Sequence, residues 1–441
     1  MIGCTVQQLC NAVGGTLLQE SGAVVTEVST DSRSIPAGAL FVPLVGERFD
    51  GHDYLDAALA GGAAGCLTAK KPISLLDGKF YIQVPDTLKA LKALAAWYRD
   101  KFTIPMVQVT GSAGKTTTKE MIAAVLSQRF STLKTQANFN NAIGTPLTLL
   151  NLAPEHQAAV IETGMNHFGE IRYLGEMVRP TVAVITNVGD AHIENLGGTR
   201  QGILQAKCEI FENGDDELLS GLTLPFETVL CGQHKRCGVR VANVAEHGID
   251  GVTCTVTTVR DVYEVSIPSP GAYMIYPAAM AIAIGEHLGL TKAEMLAGIA
   301  AYRPVGSRMH LVRCSNDRII IDDCYNANPQ AMAEALRILA QTEHPRRMAV
   351  LGDMGELGDL TEQAHRDMGT LARTLGLNTV VAIGPKAKAI QEADPDALWF
   401  PTVTEALPAI RAAFTAGTAV LVKASHAMHF TDIVKDLEAT E

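Results

Sequence analysis

The chain has 441 residues, 47% of them hydrophobic and 19% charged, with a formal net charge of −11. That length exceeds what one hydrophobic core sustains and predicts about three domains. The acidic balance, with no clustered Lys/Arg face, excludes a nucleic-acid footprint.

The nine cysteines are scattered and lack convincing zinc spacing. The N-terminus has neither the basic flank nor the apolar core of a signal peptide, and the most apolar stretch, residues 278–283, falls short of a membrane span. A reduced cytoplasm is the expected compartment.

Residues 1–85 read as short strands and turns, with strands predicted over 38–44 and 80–84. Ahead of the first lies the polar segment Ser29-Thr30-Asp31-Ser32-Arg33, which by composition is a turn before a strand. A helix with Leu88, Leu91, Ala95 and Tyr98 on one face follows, then a buried strand over 104–109. That strand runs into Thr110-Gly111-Ser112-Ala113-Gly114-Lys115-Thr116-Thr117, after which Met121, Ile122, Val125 and Leu126 mark a helix face.

A strand, a glycine loop and a helix start make an anion cradle, because free backbone N–H groups of the loop and the first helical turn point at one place. Lys115 would neutralise outer phosphates and the Thr116 hydroxyl would ligate Mg²⁺. Only two residues separate Gly111 from Gly114, where the general P-loop has four. The segment is therefore a shortened phosphate loop or a Gly-Lys-Thr helix cap, and its strand-loop-helix context favours ATP.

Apolar runs at 158–161 and 182–185 suit strands of a parallel sheet covered on both faces. The first ends at Glu162 and the second leads to His192, placing a carboxylate and an imidazole where such sheets gather ligands. Lys207 reads by composition as a solvated helix lysine. Residues 221–270 break the pattern: 253–259 and 262–267 alternate, predicting an antiparallel insert. Past Arg303-Pro304 a second doubly wound sheet is expected, with strands at 319–321, 348–351, 379–383 and 419–422. Polar blocks end its first two strands: Asp322-Asp323-Cys324-Tyr325-Asn326-Ala327-Asn328-Pro329, and Gly352-Asp353-Met354-Gly355-Glu356. Each is an Asx-rich loop by composition, and the pair suggests a binding edge at neighbouring strands.

In this order the motifs resemble the Mur ligases, ATP-dependent amide-forming enzymes of peptidoglycan precursor synthesis. The resemblance rests on the shortened phosphate loop, on residues 138–148 (Asn138-Phe139-Asn140-Asn141-Ala142-Ile143-Gly144-Thr145-Pro146-Leu147-Thr148), and on the blocks at 323–329 and 350–358. It implies an α/β protein of three domains: a small α/β N-terminal domain (1–85) holding a UDP-linked precursor, a central P-loop parallel-sheet ATPase domain (86–304), and a C-terminal Rossmann-like domain (305–441). The last would bind the incoming dipeptide and swing about residues 303–306 to close over ATP. The implied reaction joins D-alanyl-D-alanine to UDP-N-acetylmuramoyl-tripeptide, in a monomeric cytoplasmic enzyme using ATP and Mg²⁺.

By the same resemblance Ser29, Thr30, Asp31, Ser32 and Arg33 hold the UDP end, and Asn138, Asn140 and Asn141 bind substrate. Thr116, Glu162 and His192 take magnesium, Lys207 is carbamylated, and Arg308, Asp323, Tyr325 and Asn326 reach ATP. Two segments depart from the family. Tyr273, Met274 and Pro277 stand where a His-Asn pair and a later Asn are usual, removing an amide from the adenine edge, and His426 replaces an arginine.

Overall fold

The computed structural model describes residues 1–72, 74–189, 193–211, 228–355 and 357–439. They group into two compact units, Met1–Thr228 with His287–Leu290, and Val229–Glu286 with Thr291–Glu441.

In the first unit a five-stranded sheet runs in the order Thr16–Gln19, Phe80–Gln83, Gly65–Thr68, Leu40–Phe41, Val28–Ser29. All its pairs are parallel except the one between Thr16–Gln19 and Phe80–Gln83. Of the strand predicted over 38–44, only Leu40–Phe41 forms, and it stops before Pro43, which carries no N–H to donate to a ladder. Val42 still donates to the Ser29 carbonyl (2.9 Å).

Helix Thr87–Arg99 follows, capped by the Asp86 carboxylate, which accepts from the Leu88 and Lys89 N–H groups. Its buried Leu91, Leu94 and Tyr98 enter one core with Leu67, Phe80 and Ile82 of the first sheet and Met106, Ile161 and Met177 of the second layer. Each such large apolar side chain contributes about 2 kcal/mol by leaving water. The Tyr98 hydroxyl, accepting from the Ile2 N–H (2.6 Å) and donating to the Leu152 carbonyl (2.7 Å), fastens the N-terminus to the same core.

The second sheet of this unit is wholly parallel, in the order Val182–Ile185, Met106–Thr110, Ala158–Glu162, Thr132–Lys134. Met106–Thr110 and Ala158–Glu162 are buried along their whole length, as continuous apolar runs require.

The other unit holds two sheets. Residues Val239–Glu246, Val252–Thr257 and Val262–Ile267 form the expected antiparallel insert, with Cys231–Gly232 added at one edge. The middle strand ends at Thr257 because residues 258–261 make the hairpin turn, closed by the Thr258 N–H donating to Asp261 O (3.0 Å). Residues 221–227 of the predicted insert lie outside the described residues.

The larger sheet has six strands, ordered His310–Cys314, Arg318–Asp322, Thr418–Lys423, Arg346–Gly352, Thr379–Ile383, Leu398–Phe400. Only His310–Cys314 is antiparallel. Period-2 alternation splits its side chains between two cores: Ile319, Ile321, Ala349 and Leu351 face one, Ile320, Met348, Val350 and Val422 the other. Strand Thr418–Lys423 lies between Arg318–Asp322 and Arg346–Gly352. The two polar blocks therefore end strands that are not neighbours, contrary to the sequence expectation. The last strand returns to the middle of the sheet, which periodicity alone does not reveal.

Candidate active site

Helix Lys115–Leu126 begins at Gly114, which lies at φ 75° and supplies no side-chain cap. The first-turn N–H groups are thus not consumed by a capping side chain, which argues against the plain helix-cap reading. Gly111 is required by space: a Cβ there would fall 1.8 Å from the Thr186 Oγ1.

The loop is pinned by the segment after the neighbouring strand. Ser112 N–H donates to Asn187 O (3.1 Å), Ala113 N–H to Asn187 Oδ1 (2.8 Å), and Thr186 Oγ1 to Ala113 O (2.6 Å). The Gly189 N–H donates to Ser112 Oγ (2.9 Å). Lys115 Nζ donates to Gly111 O (2.8 Å), so its charge is held at the mouth of the loop.

Thr116 is buried in the first helical turn and Thr117 half-buried beside it. Glu162, at the carboxyl end of its strand, accepts from Asn140 Nδ2 at Oε1 (2.8 Å), while its buried Oε2 has no hydrogen-bond partner. Such an orphaned carboxylate oxygen beside a phosphate cradle suits a cation.

Asn141 Oδ1 accepts from the Ile143 and Gly144 N–H groups just ahead of and at the start of helix Gly144–Leu149. Asn138 is exposed, and its carbonyl accepts from the Asn140 N–H (2.7 Å). Lys115, Asn140 and Asn141 line one cleft of about 780 Å³ with Leu88, Gly164, Met165, Asn166, Phe168, Tyr173 and Leu174. Sequence reasoning missed the second wall, residues 164–174, because the loop after the buried strand and the first turn of helix Glu170–Val178 carry no motif.

Lys207 is not a solvated lysine. It is 3% exposed on helix Arg200–Cys208, and burial, reinforced by the nearby Lys115 cation, pushes its amine down to about 7. His192 lies outside the described residues.

Ser29, Thr30, Asp31, Ser32 and Arg33 turn away from the carboxyl end of strand Val28–Ser29. The Asp31 N–H donates to Ser29 Oγ (3.1 Å), and Arg33 donates in a fork to the Asp31 carboxylate (2.9 and 2.8 Å), holding that carboxyl down at about 2. The Arg33 side chain is otherwise open to solvent.

The remaining predicted residues belong to the second unit. Lys423, buried at the end of its strand, donates to the Asp323 carboxylate and to Asn326 O (3.0 Å). Asp323 also accepts from the Met309 N–H (3.1 Å), and burial pushes its carboxyl up against the opposing pull of Lys423. The Arg308 guanidinium stacks 3.6 Å from the Tyr325 ring centroid, and His426 meets that ring edge-on at 5.7 Å. The Ser425 N–H donates to Asp353 O and Ser425 Oγ accepts from the Gly355 N–H. Three successive strand ends of this sheet therefore form one polar edge, although Glu356 is outside the described residues.

Three family models match the chain: the Mur ligase family catalytic domain over residues 24–99, the Mur ligase middle domain over 109–285, and the Mur ligase glutamate ligase domain over 307–426. UDP-N-acetylmuramoyl-tripeptide–D-alanyl-D-alanine ligases of Escherichia coli and Bacillus subtilis are 35% and 34% identical to it, each across 99% of both chains. MurF from Acinetobacter baumannii superimposes with a TM-score of 0.90 at 30% identity, covering 99% of both chains. MurF from Thermotoga maritima, in complex with ADP, gives 0.80 at 26%, covering 94% of this chain and 97% of that one. The three-domain α/β architecture is thus shared with these solved MurF structures. With its shortened phosphate loop and the polar edge of its C-terminal sheet, this chain belongs to the Mur ligase family.

Proposed function

We propose that this chain is an ATP-dependent ligase that joins D-alanyl-D-alanine to UDP-N-acetylmuramoyl-tripeptide in peptidoglycan precursor synthesis. The observation that carries the reading is the cleft in which Lys115 of the phosphate loop faces Asn140 and Asn141. A cation at a triphosphate cradle and amide groups for a peptide end then share one space. The full-length likeness to ligases of that name supports the choice of substrates.

A carboxylate is a poor electrophile, so the ATP γ-phosphoryl group passes to the tripeptide's terminal carboxylate. The dipeptide amine attacks the acyl carbon of this acyl phosphate and loses a proton. The C–O bond breaks and phosphate leaves with the bonding pair. In this reading Thr110 to Thr117 wrap the phosphates, and Lys115 neutralises the oxygens on which charge accumulates during transfer.

Thr116, Glu162 and His192 would hold magnesium, which when bound supplies further charge neutralisation. The orphaned Glu162 Oε2 fits that role. Arg308, Asp323, Tyr325 and Asn326 would close over ATP, Ser29 to Arg33 would hold the UDP end, and Asn138, Asn140 and Asn141 the peptide end.

We assign Lys207 as carbamylated. At about 7 a substantial fraction of its amine is neutral near pH 7, and the neutral amine adds to CO₂, releasing one proton and leaving an anionic carbamate able to ligate metal. Carbon-13 NMR of the protein in labelled bicarbonate reads a carbamate signal that Lys207→Met lacks; an unchanged spectrum refutes the assignment.

Among the described residues no helix is long and apolar enough to cross a membrane. We take the working form to be a cytoplasmic monomer, which sedimentation tests. Incubation with precursor, ATP and Mg²⁺, with product mass as the readout, tests the function. A mass gain of one dipeptide with D-alanyl-D-alanine is expected. A gain only with a single amino acid overturns the substrate assignment.

A further inference from the structure

Behind the phosphate loop a lysine is buried that the mechanism above does not use. Lys119, one helical turn after Lys115, is 1% exposed. Its Nζ donates to Thr135 O (2.6 Å) and pairs with Glu120 Oε1 (2.9 Å), and Glu120 is paired in turn with Lys134. Lys119 Nζ also lies 3.9 Å from Glu162 Oε2, the oxygen that has no hydrogen-bond partner. The Thr135 side chain accepts from the Glu162 N–H (3.0 Å), so one short segment ties both ends of this arrangement.

A buried ammonium is costly to keep out of water unless its surroundings compensate it. Here the hydrogen-bonding capacity of Lys119 is directed to Thr135 and Glu120, while Glu162 Oε2 receives its field from beyond hydrogen-bonding distance. That geometry offsets the charge of the carboxylate and leaves its second oxygen available to another ligand. Asn140 fixes the first oxygen.

We propose that Lys119 is a positioning residue for the divalent cation: it holds the Glu162 carboxylate in place from behind and sets the affinity for the metal, without touching nucleotide or substrate. The inference rests on Glu162 being a metal ligand. Groups that orient a metal ligand commonly change affinity by about 10–100-fold when removed.

The test uses the full chain with ADP and follows Mn²⁺ binding by electron paramagnetic resonance, alongside metal-free ADP binding by calorimetry. Lys119→Met is expected to weaken Mn²⁺ by about 10-fold or more while metal-free ADP affinity stays within about twofold, as only an indirect role predicts. Because that variant strands Glu120, Lys119→Met/Glu120→Gln is measured beside it; it removes one charge of each sign and is expected to show the same metal defect. Unchanged Mn²⁺ affinity in the double variant overturns the proposal, as does an equal loss of metal-free ADP binding. Glu162→Gln separates the two readings. If it loses Mn²⁺ while the Lys119 variants do not, Glu162 is a ligand and the positioning role is wrong; if it keeps Mn²⁺, the ligand assignment fails and this inference with it.

Discussion

Replacing Lys207 by methionine should make the protein more stable, and more so in acid than in base. The amine titrates at about 7 in the folded chain against an ordinary 10.5, with burial the main cause and Lys115 the second. Below pH 7 it is protonated in both states, so the cost of burying a cation is fully present. Between pH 7 and 10.5 the folded state sheds the proton while the unfolded chain keeps it, and stability rises with pH. Each tenfold change in proton affinity is about 1.4 kcal/mol, so the cost is about 5 kcal/mol at pH 6 and about 2 kcal/mol at pH 9. Lys207→Met lacks this titration, and its advantage over the parent should shrink by about 3 kcal/mol across that range. Urea unfolding at pH 6, 7.5 and 9, in buffer freed of CO₂ to keep the amine unmodified, reads the difference. Parallel pH profiles for the two proteins would refute the buried-cation argument.

Gly111→Ala places a methyl group 1.8 Å from Thr186 Oγ1, so the loop must open and ADP affinity should fall by about 10-fold or more; calorimetry giving the parent value would show that the cradle tolerates a side chain. Arg33→Ala should leave the melting temperature unchanged, since its ion pair with Asp31 is in solvent. It should nonetheless raise the KM for the UDP-precursor, and an unchanged KM removes residues 29–33 from the site. With Tyr273, Met274 and Pro277 in place of the His-Asn pair and later Asn usual in the family, GTP should support turnover within about tenfold of ATP, the discrimination expected when one hydrogen-bonding contact to the base is lost. A much stricter preference would mean that the base is read elsewhere.

The parts of the fold that were legible in the sequence were those set by local patterning. The largely apolar runs read at 104–109, 158–161 and 319–321 became the buried strands Met106–Thr110, Ala158–Glu162 and Arg318–Asp322, and the glycine loop became a cradle at a helix start. What stayed hidden depends on distant pairing. Strand His310–Cys314 lies half-exposed at an antiparallel edge and lacks a continuous apolar run. The insertion of Thr418–Lys423 between two earlier strands is a matter of topology. In the site, Lys115 and Glu162 announced themselves by position after strands, whereas Lys207 read by composition as a solvated helix lysine and Lys119 drew no functional reading. Only the structure places both in the interior.

The central claim is that this chain activates a peptide carboxylate by phosphorylation before amide formation. The most direct measurement uses UDP-N-acetylmuramoyl-tripeptide carrying oxygen-18 in its terminal carboxylate, with ATP, Mg²⁺ and D-alanyl-D-alanine, and follows the label in the released phosphate by mass spectrometry. Passage through an acyl phosphate predicts that one carboxylate oxygen leaves with phosphate at every turnover. Amide product accompanied by unlabelled phosphate would contradict it.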